Sequence, residues 1–447
     1  MKPPAVIFAA DTDGSDPMRR ALLIAAAGLG ATTILPTKTH AVGAALFTDE
    51  EMASVFERYH GFGDKASGGP GDNACGAWLE AQLQGMGYRT RRQVFDVPMF
   101  NLQTTRLSAD GASAPVVPQA IVTPTPAGGV RGRMVVHIDG QTERLDGAIA
   151  LVILPFKRWS AASDPEIRRP VGAALAAGAS AVVIVTTGPT GEAVALNAPV
   201  NTRLFDKPVA VLAPMDAPPF IAAAWRGAVG RLDVIGEVGT RKAFNNIASL
   251  QRGLNRTLVI STPRSGWFSC VGERGPGLAV WLSLARWASR TPLNCNVELL
   301  CTSGHEYDNA GGEAYITHLA PRPAQTAMWA HIGANVAARD WQDTAGGLQP
   351  LPSADPQRFL VATPTLVPVL RPAFAGQAGL EVVRDSQSFP PRGELINIIR
   401  AGYAPAFGIF GTHRFHHTPS DDLRCVSAPL ARRVADALAP VISAAVA

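Results

Sequence analysis

The chain of 447 residues predicts an α/β protein: a three-layer α/β/α sandwich around a mostly parallel mixed sheet, with a small β-rich insertion. Three observations predict it. Two amphipathic helices lead into a strand near the start, buried strands alternate with helices from Asn245 onward, and a run of short apolar strands and turns lies between them. Strands that alternate with helices pair in parallel and need cover on both faces, which places the sheet between helical layers.

The elements follow in order. DEEMASVFERYHGFG sets Met52, Val55, Phe56 and Tyr59 on one helical stripe. GDNACGAWLEAQLQGMGYRT predicts a second helix through Ala74, Trp78, Leu79, Leu83 and Met86, ended by glycines, with a strand over residues 89–97. The middle region, GGVRGRMVVHIDG to DKPVAVLAPMDAPPFIAAAW, reads as short strands around the small-residue helix PVGAALAAGAS, a module over residues 100–238. TLVISTP and NVELLC are then buried strands flanking the helix GLAVWLSLARWASR, and TAMWAHIGANVAA is a further strand with Met328 and Ala330 on one face. SAPLARRVADALAPVISAAV closes the chain as a helix. The predicted divisions are residues 1–41, an export signal with an extension; 42–99 and 239–447, two parts of one main domain; and 100–238, the insertion.

Composition excludes several classes. A hydrophobic content of 47% with 17% charged residues is that of a globular protein. The net charge of +4 is spread along the chain, without the basic and aromatic interleaving of a nucleic-acid surface. Five cysteines are too few and too scattered for a disulfide scaffold or a cysteine zinc site, although one or two disulfides fit an exported protein. Arg19 and Arg20 before an Ala/Gly-rich stretch resemble a twin-arginine signal, so a periplasmic or extracellular location is expected. No later stretch reaches the roughly 18 apolar residues of a membrane span. Trp281 and Trp287 lie six apart on their helix, so at least one should meet a neighbouring layer or a second subunit of a homo-oligomer.

Sites in such sheets form at the carboxyl ends of strands. Here those loops are RSGWFSCVGERGPG, SGHEYDNAGG and GTHRFHHTPSDD. Glu273, Glu306 and His417 supply two carboxylates and an imidazole, a workable tetrahedral zinc set with one open position. His305 could take a proton from water, and Asp421 or Asp422 could accept the other N–H of a ligating histidine. A metal-free alternative makes Cys270 or Ser269 a nucleophile, His305 its base, and Arg264 or backbone N–H groups an oxyanion site. His413 and His416 read as pocket lining or surface, and His331 as core or a replacement ligand.

The whole resembles the aminopeptidase/glutamate-carboxypeptidase-like family of co-catalytic zinc exopeptidases, with a protease-associated domain inserted before the catalytic core. VRGRMVVHIDG, PVGAALAAGASAVVIV and KPVAVL resemble the inserted domain. GERGPGLAVWLSLARWAS resembles the bridging-acid segment, CTSGHEYDNAGGEAYI the paired-glutamate segment, and INIIRAGYAPAFGIFGTHRFHHTPSD the stretch around the final ligand histidine. The resemblance implies that one metal site has lost ligands. Its histidine falls at Thr262 or Pro263, the companion acid at Arg264 or Ser265, and a later acid at Ala330 or His331. It implies that the other metal keeps Glu273, Glu306 and His417, as in the related single-zinc glutaminyl cyclases, and that the catalytic base falls at His305. The expected function is a divergent metal-dependent hydrolase of a peptide or small amide with one zinc ion. The alternatives are an inactive exopeptidase-like binding protein, or the Cys/Ser–His hydrolase.

Overall fold

The computed structural model describes residues 46–138, 140 and 143–447; the expected export signal lies outside them. The sheet runs Val383–Asp385, Arg358–Ala362, Ala406–Gly411, Thr326–Ile332, Thr257–Pro263, Asn296–Thr302 and Val229–Leu250. Four of these strands are parallel neighbours: Thr257–Pro263 pairs with Asn296–Thr302 and with Thr326–Ile332, which pairs with Ala406–Gly411. Their carboxyl ends therefore share one edge, and the candidate loops leave from it.

Side chains alternate across this sheet with period two. Leu258, Ile260, Met328, Ala330 and Ile332 join the core under Asp49–His60, Val271–Arg290 and Ala428–Ala445. Val259, Leu300 and Trp329 face the opposite cluster with Tyr315, Leu395 and Ile398. These two cores on the two sheet faces form the expected three layers. Val271–Arg290 is buried nearly all round, as a helix hydrophobic on every side must be. Trp281 and Trp287 are both fully buried within the chain, and Trp281 Nε1 donates to Ile260 O at 2.9 Å.

The middle region folds as Ile149–Ile153, Ala181–Val185 and Val209–Leu212 in parallel, with Val130–His137 alongside. Pro165–Ala176 packs on one face and Pro218–Trp225 on the other. It joins the main sheet without a linker. Arg89–Ala109 and Val229–Leu250 form one antiparallel ribbon that runs across residues 99/100 and 238/239, so both expected boundaries fall inside continuous strands. Among the described residues no helix is long and apolar enough to cross a membrane.

Candidate metal centre and its cavity

The loops at the carboxyl edge surround a cavity of about 730 Å³ lined by Glu273, His305, His331, His416 and His417, with Lys157, Arg158 and Ser160 contributed by the middle region. Its position follows from the parallel register, which brings the ends of several strands to one edge.

Glu273 stands in the first turn of Val271–Arg290 and is completely buried. Asp421 fixes that turn. Its Oδ1 accepts from Gly272 N at 2.6 Å and its Oδ2 from Glu273 N at 3.1 Å, so a carboxylate meets N–H groups that the helix leaves open. Asp421 also lies 3.1 Å from His413 Nε2. Burial works against a charged His413, but the Asp421 carboxylate outweighs it and moves the imidazole pKa upward. His413, Asp421 and Cys425 converge closely enough to hold an ion; the helix N–H groups already engage both Asp421 oxygens.

The Glu273 side chain carries the other cluster. His417 Nε2 lies 3.4 Å from Glu273 Oε1, and His416 Nδ1 lies 3.9 Å from the same oxygen. His416 and His417 stack with centroids 3.8 Å apart and planes 21° apart. Consecutive side chains stack this way because His417 has φ +60, a left-handed conformation uncommon outside glycine. Ala195 holds it there, donating its N–H to His417 O at 3.0 Å and accepting from His417 Nδ1 at 2.9 Å. A carbonyl can only accept, so Nδ1 carries the proton and Nε2 is the atom that meets Glu273. The expected partner for this N–H was Asp421 or Asp422; Asp421 caps the helix instead, and Asp422 pairs with Arg424 at 2.9 Å.

This donor set fits a divalent metal. Atoms about 2.0–2.1 Å from a tetrahedral zinc lie about 3.3–3.4 Å from each other, which the Glu273–His417 separation matches. Neither Glu273 oxygen nor His416 Nδ1 has a hydrogen-bond partner, and unpartnered buried polar atoms are costly. Arg274 stands against them. Its Nη2 is 2.6 Å from Glu273 Oε1, both residues are fully buried, and the contact is an ion pair without hydrogen-bond alignment. Burial disfavours the Glu273 carboxylate, yet Arg274, then His417 and His416, hold its pKa well below the usual range.

The expected ligands do not all meet. Glu273 and His417 do, whereas Glu306 lies outside their group and His416 takes the third place. Glu306 Oε1 accepts from Ser67 N at 2.6 Å and Oε2 from Ser265 Oγ at 2.8 Å, so its oxygens serve the loops around it. Arg264 does not reach the cavity. It is fully buried, 2.9 Å from Asp72 Oδ1, and donates to the carbonyls of Phe244 and Cys301. The cation beside Glu273 is Arg274.

Cys270 is buried, in contact with Tyr59 Oη at 3.1 Å, and burial raises its thiol pKa well above normal, which suppresses the thiolate a nucleophile needs. Ser269 Oγ donates to Asp421 O at 2.6 Å. All five cysteines are free and buried, so none forms a disulfide. In a thiol-reagent titration at neutral pH, the native protein is expected to react slowly at all five and completely only after denaturation. Fast modification of Cys270 would restore the nucleophile reading.

His305 lines the cavity with its Nδ1 3.7 Å from Glu394 Oε1. Glu394, fully inside the protein, accepts from Thr302 Oγ1 at 2.6 Å and lies 3.8 Å from His331 Nδ1 through Oε2. Burial opposes its charge, and the neighbouring His305 and His331 outweigh it, so its pKa is lowered. Sequence reasoning missed Glu394, which enters from a loop without a motif.

No family model matches the sequence, and no curated protein sequence matches it. Among solved structures, the peptidase M28 precursor of Shewanella amazonensis SB2B superposes with a TM-score of 0.71 at 16% identity, over 91% of this chain and 96% of that one. The zinc aminopeptidase of Bacillus subtilis gives 0.69 at 14% identity, over 90% and 95%. This is the zinc-aminopeptidase fold. The aminopeptidase of Aneurinibacillus sp. strain AM-1 gives 0.66 at 17% identity, over 90% and 95%. The likeness spans nearly the full length of both partners.

Proposed function

We propose that this protein is a divergent hydrolase of peptide or small amide bonds, working with one zinc ion held by Glu273, His416 and His417. The observation that carries the reading is the convergence of these three donors at the cavity, with the Glu273 oxygens lacking hydrogen bonds and His417 oriented through Nδ1. A metal there would supply Lewis acidity to a scissile carbonyl. His305, backed by Glu394, is the group placed to accept and return a proton. The cavity volume suits a short peptide or a similarly sized amide. Export, read from the Arg19–Arg20 segment, belongs to the same proposal.

Arg274 favours a second reading, an inactive binding protein, because a guanidinium already neutralises the carboxylate that a metal would use. Metal binding separates the two. Protein stripped with chelator and titrated with zinc is expected to take up one equivalent. His417→Ala and His416→Ala should each weaken binding at least tenfold, while Glu306→Gln weakens it less. Wild-type protein that takes up no zinc would refute the zinc reading and favour the binding-protein one.

A further inference from the structure

We propose that His331 presents a fixed Nε2–H donor to a carbonyl oxygen of the substrate. A buried hydrogen-bond chain on the sheet fixes the ring's tautomer. Trp329 Nε1 can only donate, and it donates to Ser261 Oγ at 2.8 Å. Ser261 Oγ lies 2.9 Å from His331 Nδ1. If His331 also donated to this oxygen, the serine hydroxyl proton would be a buried donor with no acceptor among the described residues, which is a costly arrangement. The chain is satisfied when Ser261 donates to Nδ1, which places the imidazole proton on Nε2. The competing acceptor for a proton on Nδ1, Glu394 Oε2, is 3.8 Å away, beyond hydrogen-bond reach.

Nε2 has no partner, although His331 is fully buried and lines the cavity. Only glycine fits beside that edge of the ring, since a Cβ at position 333 would lie 3.3 Å from Nε2 and 2.4 Å from Ile409 O. Burial also moves the His331 pKa down to about 4, which keeps the ring a neutral donor under ordinary conditions. A neutral N–H in a cavity polarises a carbonyl without introducing a second charge beside Arg274. The identity of the acceptor rests on the hydrolase reading; the tautomer does not.

The test is long-range 1H–15N correlation on protein carrying 15N-histidine, with His331 assigned by His331→Gln, and with leucinamide as the probe. The expected pattern is an unprotonated Nδ1 and a protonated Nε2, with the Nε2 resonance moving to saturation as leucinamide is added. Ser261→Ala should release Nδ1 and give mixed tautomers. If that variant does not fold, the wild-type pattern alone decides the tautomer. A protonated Nδ1 would overturn the proposal, as would a Nε2 resonance unmoved throughout the titration. Zinc content measured on the same sample separates the two ideas: protein without zinc but with the Nε2–H form refutes the metal reading and leaves the tautomer standing.

Discussion

In chelator-stripped protein, Glu273→Gln is expected to lower the unfolding free energy by about 3–5 kcal/mol, the range for stranding one partner of a buried ion pair. The substitution keeps the side-chain volume, so no cavity contributes. It leaves Arg274 fully buried, with its Nε on Ser265 O at 3.0 Å and neither terminal nitrogen on a hydrogen-bond acceptor. The Asp421 contacts to the backbone N–H groups of Gly272 and Glu273 remain, so the helix start is not the source of the loss. Urea denaturation measures it, and Glu273→Gln combined with Arg274→Met should recover most of the deficit. A loss under about 1 kcal/mol, the scale of an exposed pair, would mean that Arg274 is not held by Glu273.

Arg264→Met is expected to cost a similar amount, about 3–5 kcal/mol, for a different network. Asp72 and Arg264 are both inaccessible to solvent, and Asp72 Oδ2 also accepts from Gly68 N and Ser303 Oγ. The arginine thus ties Pro70–Gly85 to the carbonyls of Phe244 and Cys301, joining a helix to two strands that lead to the cavity. Methionine fills much of the space but leaves the Asp72 charge uncompensated. Combining Arg264→Met with Asp72→Asn should cost clearly less than the single change, because no buried charge then remains. Equal losses in the single and double variants would assign the cost to the lost carbonyl contacts.

The layers were legible in the sequence because buried parallel strands announce themselves. TLVISTP and NVELLC are short apolar runs set between helices, and the alternation of Met328 and Ala330 against Trp329 survives in the folded sheet. The extent of the ribbon was not legible. Residues 100–109 and 229–238 have mixed polarity, and their pairing depends on contacts more than a hundred residues apart.

Glu273 and His417 were legible as candidate ligands from their loops. His416 was not, since neighbouring residues ordinarily point apart, and only the left-handed backbone at His417 stacks the two rings. Arg274 was hidden for a related reason: residues adjacent on a helix do not face each other, yet its long side chain folds back onto Glu273. Arg264, placed near the metal by loop position, instead turns towards Asp72, where a carboxylate and several carbonyls meet a guanidinium better than an open cavity does.

The central proposal is one metal on Glu273, His416 and His417, with Arg274 paired to the same Glu273 oxygen. Anomalous diffraction at the zinc edge, from crystals grown with zinc and without chelator, tests it most directly. A single peak is expected within bonding distance of Glu273 Oε1, His416 Nδ1 and His417 Nε2, with the Arg274–Glu273 pair retained. Two peaks, a peak at Glu306 in place of His416, or no peak at all would contradict it.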